Sequence, residues 1–143
     1  MPHIIDPTAE SFRALGRDTP PDTPVVMLNL LRFHEQAQYP SDSGHAPCSG
    51  VEAYARYTAH ALPAVKAAGG ELVFQARAVA YPVALPGEQW DEVLLVRYPN
   101  IAAFFGMVMA PDYQAESIHR TAALRDARLI CTVESSVSKV FPT

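Results

Sequence analysis

A chain of 143 residues with 49% apolar and 18% charged side chains suits one globular domain that needs no disulfide or metal to bury its core. The net charge of −4, with eleven scattered basic residues, argues against nucleic acid or an anionic membrane as partner. No window approaches 18 consecutive apolar residues and the N-terminus lacks a basic-then-apolar leader, so neither a membrane span nor a signal peptide is expected.

The first predicted element is a short helix over residues 7–16, with Pro7 at its first position and Gly16 at its end. Three prolines between Thr19 and Pro24 then mark a connector. Val25–Phe33 reads as a strand that is apolar on both faces: Val25, Met27, Leu31 and Phe33 on one, Val26, Leu28 and Leu30 on the other. His34–Ser49 is a long polar loop. Ser49 and Glu52 form a capping-box pattern that opens a helix running to about Ala68. Its inward stripe is expected to be Val51, Tyr54, Thr58, Ala61, Leu62 and Val65, with a kink at Pro63 and an end at Gly69-Gly70.

Glu71–Tyr81 reads as an edge strand closed by Pro82, and residues 82–90 as a hairpin connection. Asp91–Tyr98 is the next strand. Asn100 caps a short helix through Met107, Pro111 opens another to about Asp126, and Arg128–Val133 is the last strand. The order is β-α-β-β-α-β, an α+β ferredoxin-like arrangement with both helices on one face of a four-stranded antiparallel sheet. Residues 1–24 form an N-terminal extension, 25–134 the core and 135–143 a tail. The free sheet face is also apolar, so a homodimer that packs two sheets into a barrel-like core is expected.

Gly69-Gly70, Tyr98-Pro99, Pro111-Asp112-Tyr113 and Arg120, in this order of elements, resemble the bacterial domain-of-unknown-function family numbered 1330, of the dimeric α/β-barrel superfamily. The resemblance covers about residues 50–134, and Met27–Phe33 looks like the first strand of one of the family's branches. It implies the fold and a dimer, not a substrate. The superfamily includes cofactor-free monooxygenases, lactone isomerases, haem-degrading enzymes and non-catalytic ligand sensors.

Several residues could carry chemistry. Asn29 sits mid-strand among apolar neighbours; it either satisfies the backbone or holds a ligand carbonyl, the latter being what the resemblance to the superfamily implies, since an asparagine on the first strand does similar work in its cofactor-free oxygenases. His119 is a candidate acid or base, weighed against a solvated helix histidine. Arg120 matches the family pattern and could pair with an anionic ligand, or tie helix to sheet. Adjacent helical residues point about 100° apart, so His119 and Arg120 do not easily face one ligand atom. Arg77 and Arg97 interrupt apolar strands and need partners. Trp90 closes a pocket or packs at a dimer seam. Tyr54 and Tyr57 read as core or rim residues.

Cys48 and Cys131 are far apart, and His34, His45 and His60 stand at no ligand spacing, so no metal is expected. No nucleophile elbow, P-loop or dinucleotide fingerprint occurs, and no cofactor is expected. The reading that follows is a cytoplasmic homodimer with a small-molecule pocket between helices and sheet. Asn29, Arg97, Trp90 and Arg120 would bind the ligand, and His119 would move a proton if the protein is an enzyme of isomerase or monooxygenase type. The alternative is a non-catalytic sensing or partner-binding module.

Overall fold

The computed structural model describes residues 2–134 and Val140, so most of the expected tail, 135–143, lies outside the described residues. Eight elements follow in order: α1 (Ala9–Asp18), β1 (Val25–Phe33), α2 (Gly50–Ala67), β2 (Glu71–Arg77), β3 (Glu92–Tyr98), α3 (Ile101–Val108), α4 (Pro111–Ala123) and β4 (Leu124–Thr132). The four strands are antiparallel in the order β2-β3-β1-β4. This is the ferredoxin-like topology, with β2 at one edge as its closing proline suggested.

Strand parity decides which residues meet the helices. Val25, Met27 and Leu31 are at most 2% exposed, and Tyr98, opposite Val25, is buried with them. Val25, Met27 and Tyr98 pack with Val65 of α2 and with Ile101, Phe104 and Met107 of α3. Leu31, Leu124 and Ala127 form a second cluster under Tyr54. The opposite parity, Val26, Leu28, Leu30, Val93 and Leu95, is only half-buried. On that face Phe74 and Ile130, which pair with Leu95 and Leu28, are each 51% exposed. An apolar sheet face therefore stands uncovered in the single chain.

Helix ends follow the local chemistry, with some shifts from the sequence expectations. The first helix starts at Ala9 rather than Pro7, with Thr8 as its cap: the Thr8 hydroxyl accepts from the Ser11 amide while the Ser11 hydroxyl accepts from the Thr8 amide. The helix runs past Gly16 to Asp18, and Gly16 faces the Phe105 ring of α3, where a Cβ would make ordinary contact at 3.4 Å. The Ser49–Glu52 capping box opens α2 as expected, and α2 continues through Pro63. Its buried stripe is Gly50, Ala53, Tyr57, Ala61 and Val65, rotated from the expected one; Val51 and Leu62 are exposed. The rotation follows from small residues: Ala53 and Ala123, both fully buried, let α2 approach the end of α4.

Gly69 turns with φ +81°, which a side chain resists, and a Cβ on Gly70 would stand 2.8 Å from the Arg97 carbonyl oxygen. The Gly70 amide donates to the Val65 carbonyl and closes the helix. β2 stops at Arg77 rather than Tyr81, because Tyr81 bends away and its hydroxyl bonds both the amide and the carbonyl of Trp90. α4 stops at Ala123 rather than Asp126. Leu124 is drawn into the sheet opposite Phe33, and a register shift at Arg32/Phe33 absorbs the misfit.

Candidate ligand-binding site

Asn29 points to the helix-facing side of β1, between Met27 and Leu31. Its amide donates long bonds to the carbonyls of Met27 (3.3 Å) and Leu94 (3.5 Å), and its own carbonyl oxygen accepts from no group among the described residues. Tyr54 and Tyr57 come from one side of α2, three residues apart. Tyr113 and Arg120 come from one side of α4, seven apart. Together with Asn29 they line a cavity of about 1990 Å³ between the sheet and the helices. The lining is mostly apolar, with Met27, Leu31, Leu94 and Val96 as its floor. A single small ligand needs roughly 300–1,000 Å³, so the cavity is a trough of which a ligand would fill part.

The phenols and the Arg120 guanidinium supply donors to this trough, while Asn29 keeps an acceptor oxygen and Asp6, Glu35, Asp91 and Glu92 also line it. The Tyr57 and Tyr113 hydroxyls bond each other, and the Tyr54 and Tyr57 rings lie 5.2 Å apart. The Tyr54 hydroxyl has no hydrogen-bond partner among the described residues. Burial pushes its phenol up to about 12, against a smaller opposite pull from the Arg120 cation. Burial also raises Tyr57, reinforced by Tyr113 and Tyr54, and it raises Tyr113 against Arg120. All three phenols are therefore protonated at neutral pH and offer O–H groups rather than bases. Arg120 spends one N–H on Asp6, at 3.1 Å, and its remaining donors have no partner among the described residues.

His119 does not line this cavity; it faces the 34–49 loop. The Tyr39 hydroxyl lies 2.7 Å from His119 Nδ1, and Arg56 donates to the Tyr39 oxygen and to the Ala46 carbonyl, each at 3.2 Å. With Arg56 donating to its oxygen, the Tyr39 hydroxyl can give its own proton to Nδ1, the arrangement that places the imidazole proton on Nε2, which lies 3.3 Å from Glu116. The His45 ring packs edge-on against His119, and His60 approaches the same Glu116 oxygen at 3.4 Å. Burial and the neighbouring His45 hold His119 below its ordinary pKa. The loop is tied down further where the His34 and Gln38 amides donate to the carbonyls of Ala123 and Ala122.

The other two expected ligand contacts also lie outside the trough. Arg97 is on the free sheet face, paired with Glu71 at 3.0 Å and with Glu134 at 3.9 Å. Trp90 is buried beneath the Arg128 guanidinium, 5.1 Å from its ring centre, and its indole N–H has no acceptor among the described residues. Arg77, by contrast, reaches the trough. The three tyrosines escaped the sequence reading because a tyrosine on an inward stripe looks like core. The signal was available: a buried phenol needs a partner for its hydroxyl, and α2 places two of them one turn apart. Among the described residues no three His, Cys, Asp or Glu side chains are grouped to hold a metal ion, and no helix is long and apolar enough to cross a membrane.

The family model described as Domain of unknown function (DUF1330) matches residues 45–133. The chain belongs to the DUF1330 family. The crystal structure of the methylated RPA0582 protein is 34% identical with a TM-score of 0.88, covering 97% of this chain and 100% of that one. The RPA0582 protein of unknown function from Rhodopseudomonas palustris is likewise 34% identical, with a TM-score of 0.86 over 94% of this chain and 99% of that one. The hydroxynitrile lyase from Passiflora edulis is similar at 11% identity and a TM-score of 0.53, over 82% of this chain and 99% of that one, a likeness of fold alone. No curated protein matches the chain. Within this DUF1330 chain the matched stretch carries Tyr54, Tyr57, Tyr113 and Arg120; Asp6 and Asn29 come from outside it.

Proposed function

We propose that the protein binds a small organic molecule, with an apolar body and oxygen acceptors, in the trough between the sheet and helices α2 and α4. The observation that carries this reading is convergence. The Tyr54 hydroxyl and the Arg120 guanidinium reach one mostly apolar cavity with donors left over among the described residues, and Asn29 reaches it with its acceptor oxygen left over. These groups are half-buried and meet water in the open trough, so a ligand that displaces that water is held only if it replaces the bonds. Binding rather than proton transfer is favoured, because the trough's phenols are held protonated and His119 turns its ring to the loop.

The same reading includes a homodimer. The half-buried face of Val26, Leu28, Leu30, Val93 and Leu95, continued by Phe74 and Ile130, fits burial against a second copy, with more than about 1,500 Å² covered in total. Light scattering at micromolar concentration should give twice the chain mass, and a monomer mass would remove this part. A thermal-shift screen of small organic molecules tests the binding part, since a ligand at about 100 times its Kd adds roughly 2.7 kcal/mol of stability. Hits should weaken in both Tyr54→Phe and Arg120→Gln. A hit that binds both variants as it binds the native chain would overturn the site.

A further inference from the structure

Asp6 is the single partner that Arg120 has among the described residues, and it lies on the rim of the same trough. The segment that carries it is held at both ends. The Ile4 amide donates to Asp126 and the Ile4 carbonyl accepts from the Ala127 amide, while Thr8 caps α1 four residues later. Asp6 is thus delivered to Arg120 by a fixed backbone, yet its side chain is 63% exposed while that of Arg120 is 22% exposed. An ion pair of that kind is weak, because water solvates the carboxylate almost as well as the arginine does. The arginine has less water and more unused donors, so its requirement for an anion is the stronger of the two.

The surroundings narrow the anion. Tyr54, Tyr57 and Tyr113 add neutral O–H groups near the guanidinium, and among the described residues Arg120 is the cation that pulls on all three phenols, although Arg77 and Arg125 also line the trough. One cation with neutral donors matches a single negative charge spread over two oxygens; a dianion would leave a charge uncompensated. The floor of Met27, Leu31, Leu94 and Val96 offers only apolar contact to the rest of the molecule.

We propose that the ligand is a monocarboxylate with an apolar body, and that Asp6 is the resident counter-ion which the ligand's carboxylate replaces on Arg120. This rests on the trough being the ligand site. Asp6 holds the guanidinium neutralised in the empty protein and swings to water when the carboxylate arrives, so it competes with the ligand for the same cation.

The test measures binding of phenylacetate and hexanoate, and of their neutral amides, to the native chain, Asp6→Asn and Arg120→Gln, by calorimetry or ligand-observed NMR. Both carboxylates should bind the native chain at least about tenfold more tightly than their amides, the ordinary margin of a charge-assisted bond over a neutral one. Asp6→Asn should tighten the carboxylates by about three- to tenfold by removing the competing charge, and leave the amides unchanged. Arg120→Gln should erase the difference between carboxylate and amide. Amides that bind the native chain as well as the acids would overturn the ligand class while leaving the trough as a binding site. Carboxylate affinity that is unchanged or weaker in Asp6→Asn would overturn the counter-ion role. If neither class binds the native chain at millimolar concentration, the ligand class and the site fall together.

Discussion

The two sides of α4 are built from the same kinds of residue and end in opposite states. His119 and Arg120 are neighbours in the chain, yet one enters a closed network and the other an open one. On the His119 side, Arg56, Tyr39, His119, Glu116 and His60 pass hydrogen bonds and ion pairs from one to the next. On the Arg120 side, most of the guanidinium donors and the Tyr54 hydroxyl have no partner among the described residues. A network with its bonds made holds structure in place, whereas donors that meet only water in a half-open trough are available for a ligand to take. The contrast separates a loop anchor from a binding site on one helix.

Four outcomes would break or sharpen that contrast. The largest effect is expected where the loop, α2 and the end of α4 meet. A Cβ on Gly50 would fall 2.1 Å from the His34 carbonyl oxygen and 2.9 Å from that of Ala123. Both obstacles are backbone, so Gly50→Ala should cost at least about 3 kcal/mol, the upper end of overpacking, read as a lower urea midpoint. His119→Ala should come next, at about 2–3 kcal/mol, because it strands the Tyr39 hydroxyl and empties a buried site. It should leave the affinity of any ligand of the trough unchanged, and a large loss of affinity would merge the two sides.

The third outcome is a pH dependence set by His119 on the anchor side and by His34, which also lines the trough. His119 and His34 are both held below their ordinary pKa, in each case first by burial. A depressed histidine pKa means that the unfolded chain takes up the proton first. Stability should therefore be full above about pH 6.5 and fall as pH drops towards the lowered folded values. Replacing His119 by glutamine should flatten the melting temperature between pH 7 and pH 5, and an unaltered slope would assign it to other groups. The smallest effect on stability, within about 0.5 kcal/mol, is expected for Tyr54→Phe, which removes a hydroxyl with no partner among the described residues. The same change should weaken a bound ligand by about 1 kcal/mol.

What could be read from the sequence follows the physics of each feature. The topology was legible because apolar runs, the Ser49 cap and the Gly69-Gly70 stop are local signals. Asn29 stood out because an amide in an apolar strand is a visible anomaly. Arg97 and Trp90 were harder, since a strand residue's face depends on parity. Once Tyr98 is assigned inward against Val25, Arg97 must point to the free face. The stripe of α2 was mistaken because Val51 and Leu62 look more apolar than Ala53 and Ala61. Close approach to α4 selects small side chains instead. The Arg120–Asp6 pair spans 114 residues, and no local pattern announces a contact of that length.

The most direct test of the account is chemical-shift mapping on isotope-labelled protein with the tightest carboxylate from the titrations. The two sides of α4 then answer in one spectrum. The account predicts the largest changes at Asn29, Tyr54, Tyr113 and Arg120, a smaller one at Asp6, and little at Tyr39, His45 or His119. Changes centred on the 34–49 loop and His119, or on the free sheet face around Leu28 and Leu95, would contradict it.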